Sequence, residues 1–298
     1  MPNQHGLFKQ GPKCPPVFLL GIRRVFNAVS IGPFRFDSDA FHKSGKQRYS
    51  AVHIETHFRS VCERLLHSLD LFQRHFSAFG RSLNDTTGNP LIDENLAREA
   101  GVAADSVFAY LCTFIDDIAR IVPFALLHGP TENDHGSMFT KLKGNIKTDT
   151  NSTYRTLKPL FVKLDEPHSW WQSGFGKGTG IRHRLVHYPD IINFQGEKRD
   201  NDQQFRPQAF LFRLDGSNSA LDFEIELSRL LGNLCGWLDQ LEEVLVKQLI
   251  DRAKRKKLDW RPNRVCPQIF VPVDRSAARE IPETDFLYLP ICTGPSPL

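Results

Sequence analysis

Between Gly180 and Pro189 the chain gathers Arg182, His183, Arg184, His187 and Tyr188, a density of reactive side chains it reaches nowhere else. Histidine titrates near neutrality, so His187 can take a proton from a ribose 2′-hydroxyl. The planar fork of donors on Arg182 can hold the phosphate and the charge that develops on it. Such an attack needs no metal ion and leaves a 2′,3′-cyclic phosphate and a free 5′-hydroxyl.

Spacing limits how these residues can cooperate. On one regular α-helix Arg182 and His187 are separated by ~140° around the axis and do not share a face. A long arginine reaching round, an irregular helix start after Gly180, or a second subunit would each reconcile them. Arg184, three residues before His187, is the easier phosphate ligand. His183 and His187 are spaced as in helical zinc sites, but the glutamate of H-E-x-x-H is missing and the adjacent arginines oppose a cation. A purely structural role is also open: the cluster can cap a helix that stops before Pro189, or pair with Asp190.

The flanks add charge and aromatic surface. Gly174, Gly176, Gly178 and Gly180 precede the cluster without forming a P-loop or a dinucleotide fingerprint. They read first as a flexible connection, although Lys177 would add charge to any phosphate that their amides approach. Trp170, Trp171 and Phe175 offer stacking surface for unpaired bases, with core packing as the competing use. The basic run from Arg252 to Lys257 has RNA tracking as one use, and a solvated end complementing its own helix dipole as the default.

The elements that must hold this cluster are helical. Ile54, Phe58, Val61, Leu65, Leu69, Phe72, Phe76 and Phe79 recur at intervals of three and four, predicting a long amphipathic helix from Ala51 to Phe79 that Gly80 stops. Val107, Leu111, Phe114, Ile115, Ile118 and Val122 predict a second from about Asp93 to Leu127, interrupted at Gly101 and kinked or broken at Pro123. Short helices are expected near Met138–Leu142 and Leu157–Leu164. Leu227, Leu230, Leu231, Leu234, Leu238, Leu241, Leu245 and Leu249 predict a last long helix from Ala220 to about Lys254. Gln208–Gly216 suggests a short strand, half of a hairpin. Residues 1–49 carry proline and glycine without a sustained period and read as an irregular arm with short strands. Residues 258–298 read as a proline-rich tail.

Composition sets the frame. The chain has 298 residues, 40% hydrophobic and 24% charged, with a formal net charge of +4, as in an ordinary globular protein that tolerates a polyanionic partner without requiring one. Six cysteines without a C-x-x-C pair suggest reduced thiols and a cytoplasmic setting. The apolar run Val17–Ile22 is too short for a signal-peptide core or a membrane span.

Within this helical frame, Arg182-His183-Arg184-Leu185-Val186-His187 resembles the R-x4-6-H motif of HEPN-domain proteins. The resemblance covers roughly residues 50–257 and implies an all-α, HEPN-like helical bundle with a short β element and irregular N- and C-terminal extensions. Many proteins of that family are metal-independent endoribonucleases in toxin, CRISPR and other defence or RNA-processing systems. The resemblance assigns Arg182 and His187 to catalysis in a composite site between two protomers, hence a homodimer. His183, Arg184, Lys177 and Tyr188 are then the expected substrate-binding residues. RNA is the expected partner, with an antitoxin or other partner protein beside it, and no cofactor, metal or membrane is called for. Two departures stand out: His183 occupies a position where asparagine is frequent, and Pro189 one where some members carry tyrosine, so no tyrosine modification is carried over. The alternative is a noncatalytic module of the same architecture that binds RNA or protein.

Overall fold

The computed structural model describes residues 18–30, 34–84, 94–127, 152–165, 191–197, 206–212, 218–221, 223–256, 258–262 and 270–274. Its helices are α1 (Phe18–Ser30), α2 (Arg35–Phe41), α3 (Ala51–Ser82), α4 (Glu94–Leu126), α5 (Ser152–Asp165) and α6 (Phe223–Arg255), with a π-helical turn at His42–Lys46 after α2. The strands are β1 (Ile191–Glu197), β2 (Arg206–Phe212), β3 (Asn218–Leu221), β4 (Leu258–Pro262) and β5 (Phe270–Asp274). The architecture is mostly helical, as the apolar periods predict. None of the described helices is long and apolar enough to cross a membrane.

Several local expectations are corrected. The stretch read as an irregular arm holds α1 and α2, and in α1 Ile22, Val25, Phe26 and Val29 are buried at helical spacing. The β content exceeds one short element: β1, β2 and β3 form an antiparallel sheet in that order. β4 and β5 pair within the stretch read as a tail, with Trp260 opposite Pro272. A two-stranded sheet tolerates Pro262 and Pro272 because each strand has an edge that needs no ladder donor. Gly80 does not stop α3, which runs on to Ser82. There Ser82 Oγ donates to the Phe79 carbonyl (2.9 Å) and Asn84 Nδ2 to the Gly80 carbonyl (3.0 Å), meeting acceptors that a helix end leaves open. Pro123 does not end α4 and Gly101 does not interrupt it. The short helix expected at Met138–Leu142 lies outside the described residues.

The described residues fall into two compact units. The first takes 61–113 and 164–233. Along β1 the pleat turns Ile192 and Phe194 into the core, and leaves Asn193 and Gln195 half-buried on the other face. Phe194 packs against Phe72 and Phe76 of α3 at ring-centroid distances of 5.9 and 5.4 Å. Val107, Phe108 and Leu111 of α4 are buried in the same unit.

The second unit takes 13–60, 114–163 and 234–298. Aromatic rings make its core: Phe26 stacks on Phe58 (4.0 Å) and Phe58 meets Phe114 (5.2 Å). Trp237 lies edge-on to Phe161 (5.5 Å), and its indole nitrogen donates to the Leu160 carbonyl (2.9 Å), so a large apolar group is buried without stranding its one donor. At the end of α4, Arg252 Nη2 donates to the carbonyls of Phe124 (3.3 Å) and Ala125. These lie among the last four carbonyls of the helix, which have no partner within it. The guanidinium also sits over the Phe34 ring at 4.9 Å. Burial pushes Arg252 down to about 10, with Asp37 opposing that shift and Arg255 adding to it. Arg252→Ala removes both contacts from a buried helix end, so unfolding free energy measured by urea titration is expected to fall by ~3 kcal/mol or more. A change within ~0.5 kcal/mol, the scale of ordinary surface substitutions, would refute the capping role.

Candidate functional site

Arg182, His187, His183, Arg184, Lys177 and Tyr188 all lie outside the described residues, as do Trp170, Trp171 and Phe175. What the structure describes around them in sequence is α5, which ends at Asp165, and β1, which starts at Ile191.

β1 forms one wall of a groove in the first unit. The other wall is α4, where Glu94, Ala97, Arg98, Gly101, Val102 and Asp105 recur at alternating intervals of three and one and so share a face. Ile192, Asn193, Phe194 and Gln195 complete the lining, and the cavity measures about 510 Å³. Gly101 permits the close approach: a Cβ there would lie 3.0 Å from the Ile192 carbonyl oxygen, which is backbone and cannot swing aside. Beside it Val102 is 62% exposed, and with Ala97, Ile192 and Phe194 it makes the greater part of the lining apolar.

Asp105 gives the groove its chemistry. It is exposed, yet the surrounding walls displace enough water to push its carboxyl up to about 6 from an ordinary 3.8. Loss of hydration is the whole cause, since no cation or donor among the described residues pairs with it. A carboxyl titrating near neutrality in a concave site is suited to proton transfer, or to accepting hydrogen bonds from a ligand that supplies what the protein withholds.

A second constellation lies in the other unit. His57 Nδ1 is 2.7 Å from Asp117 Oδ2, and Arg120 Nη1 donates to Asp117 Oδ1 at 2.6 Å. The Asp117 side chain is 1% exposed and that of His57 54%. In a neutral imidazole, an Nδ1–H that donates to this carboxylate leaves Nε2 as the acceptor. Burial still holds the Asp117 carboxyl above its ordinary value, outweighing the opposing pull of His57 and Arg120. Asp117 also ties α3 to α4 within this unit, which is sufficient reason for its presence.

Sequence reading missed both places. Gly101 and Asp105, one helical turn apart, and the alternation of Ile192 and Phe194 with Asn193 and Gln195 were the available signals for the groove. Nothing in sequence joins His57 to Asp117. The basic run after α6 is partly absorbed by the fold: Arg252 is buried, and Lys256 pairs with Asp37 at 2.7 Å. No protein-family model matches the chain, and no curated protein or solved structure matches it.

Two measurements follow from these sites. Between about pH 4 and 6 the folded state binds a proton at Asp105 that the unfolded chain does not, so this residue's contribution to stability falls as pH rises through that window. Asp105→Asn is expected to raise Tm at neutral pH, modestly because the site is open to solvent, with the gain fading toward pH 4. A gain that grows on acidification would contradict the assignment. His57→Ala strips one donor from a buried carboxylate and is expected to cost ~1–3 kcal/mol in urea unfolding, with His57→Gln recovering part of it.

Proposed function

We propose that this protein is a metal-independent endoribonuclease, with Arg182 holding the scissile phosphate and His187 taking the proton from the 2′-hydroxyl. His183, Arg184, Lys177 and Tyr188 would complete the substrate contacts. The observation that carries the reading is the helical frame. Two long amphipathic helices, α3 and α4, precede the motif and a third, α6, follows it, the order that the HEPN resemblance implies. The active form in this reading is a cytoplasmic homodimer with a composite site, which removes the ~140° separation of the two residues on one helix. A role in a toxin or defence system, held in check by a partner protein, follows from the same resemblance.

The chemistry asks for a positioned base, a fixed cation and a proton for the departing 5′-oxygen, which the base returns once it has taken the 2′-hydroxyl proton, or water supplies. General-base assistance contributes ~10²–10⁴-fold, and a preorganised donor on the developing charge ~10²–10³-fold. Purified protein incubated with mixed cellular RNA in EDTA is expected to release fragments ending in 2′,3′-cyclic phosphate. His187→Ala, shown to be folded by circular dichroism, is expected to lose ~10²-fold or more of that rate. Equal cleavage by both proteins, or none by the wild type, would sink the enzyme reading and leave the noncatalytic module. Loss of activity in EDTA would move the chemistry to a metal. Light scattering on the same sample tests the dimer.

A further inference from the structure

We infer that the groove between α4 and β1 binds an unpaired cytosine or adenine by its exocyclic amino group, and so sets the base preference of the RNA this protein engages. The choice of ligand rests on the nuclease reading above; the groove itself is an observation independent of it.

Size admits the ligand first. At about 510 Å³ the groove falls in the range of small-molecule sites, with room for a base and its ribose. Its polar groups then select an edge rather than a charge. Among the described residues Glu94 and Asp105 face a single cation, Arg98, so this lining is net acidic and disfavours a phosphate. Acidic side chains accept from the amino group of cytosine, and carboxamides pair with adenine. Asp105 and the half-buried Asn193 and Gln195 supply those two kinds of partner from facing walls. Val102, 62% exposed, offers the apolar contact that the face of a base requires.

Chain length ties the groove to the proposed catalytic residue. His187 and Ile192 are five peptide links apart, so their Cα atoms are at most ~18 Å apart whatever path the chain takes. A few nucleotides of single strand cross that distance. A base seated in the groove would therefore fix which phosphate reaches His187, converting groove selectivity into a choice of cleavage position. The acceptor also gains from the match: the ligand's amino group supplies a donor that Asp105 receives from none of the described residues.

The test is a methyl and carboxamide NMR titration of the whole protein with cytidine, adenosine, uridine and methylamine in turn. Cytidine and adenosine are expected to shift the Val102 methyl and the Asn193 and Gln195 side-chain resonances saturably. Their affinities should be of order 1 mM, with uridine at least ~10-fold weaker. Asp105→Asn replaces an acceptor by a group that also donates, and is expected to narrow or reverse the preference for cytidine over uridine. No saturable shift with any nucleoside, equal shifts with all three, or a stronger response to methylamine would each overturn the inference, and the wild-type titration decides these without any variant. Nucleoside binding by a protein that cuts no RNA would defeat the nuclease reading and leave the groove standing. Cleavage without nucleoside binding would do the reverse.

Discussion

A helix that ends inside a protein must find donors for its last carbonyls, and the end of α4 meets that demand through Arg252. The chain turns at Leu127 with φ of 53°, a left-handed conformation usually left to glycine, so this helix ends on a strained residue. The guanidinium of Arg252 reaches the carbonyls of Phe124 and Ala125 from the last turn of α6, and its charge suits the negative end of the helix. Placing a cation there costs desolvation, visible in its lowered pKa. That cost is offset by the Phe34 ring against its face and by Asp37, whose other cation is Lys256. One side chain thus fixes the end of α4, the end of α6 and the start of α2 relative to one another.

This explains why a basic run can mislead. Read as sequence, Arg252 to Lys257 is a patch of charge at a helix end, and the solvated default was the natural reading. The default is wrong for Arg252 because residues 252 and 124 meet only in the folded chain. The long helices were legible for the opposite reason. α3 and α6 each bury one stripe over their length, and α4 carries such a stripe before it becomes buried nearly all round from Leu111 to Ala125, so the 3.6-residue period is written many times and survives Gly80, Gly101 and Pro123. α1 repeats its period only from Ile22 to Val29, too briefly to stand out beside the surrounding prolines and glycines. β1 was lost because strands of this length carry few alternations, and the pairing partner that confirms them is distant in sequence.

The candidate sites divide along the same line. The chemistry proposed for 182–187 rests on residue types and short spacing, which are local information. The geometry it needs is not local, since the proposed composite site depends on contacts beyond the chain's own neighbours. The groove inverts this: its geometry is given by α4 lying against β1, while nothing about Asp105 in sequence distinguishes it from any other surface carboxylate. What makes Asp105 unusual is the strand laid beside it, and Gly101 is the residue that lets the strand come so close.

Asp105 and Asp117 lie on the same helix, and both are pushed above the ordinary carboxylate range by loss of hydration, Asp117 in the core and Asp105 in an open groove. The fold answers the two differently. Asp117 receives His57 and Arg120, one on each oxygen, so its burial is repaid by contacts that join elements of its unit. Asp105 receives nothing among the described residues, and its desolvation is an uncompensated cost that an uncharged side chain would avoid. A carboxylate that is partly dehydrated and has no partner among the described residues is poor structural engineering and reasonable site engineering, because a donor is then left for a ligand to supply. On stability grounds Asp117 explains itself and Asp105 does not, and that asymmetry directs attention to the groove rather than to the better-formed His57 pair.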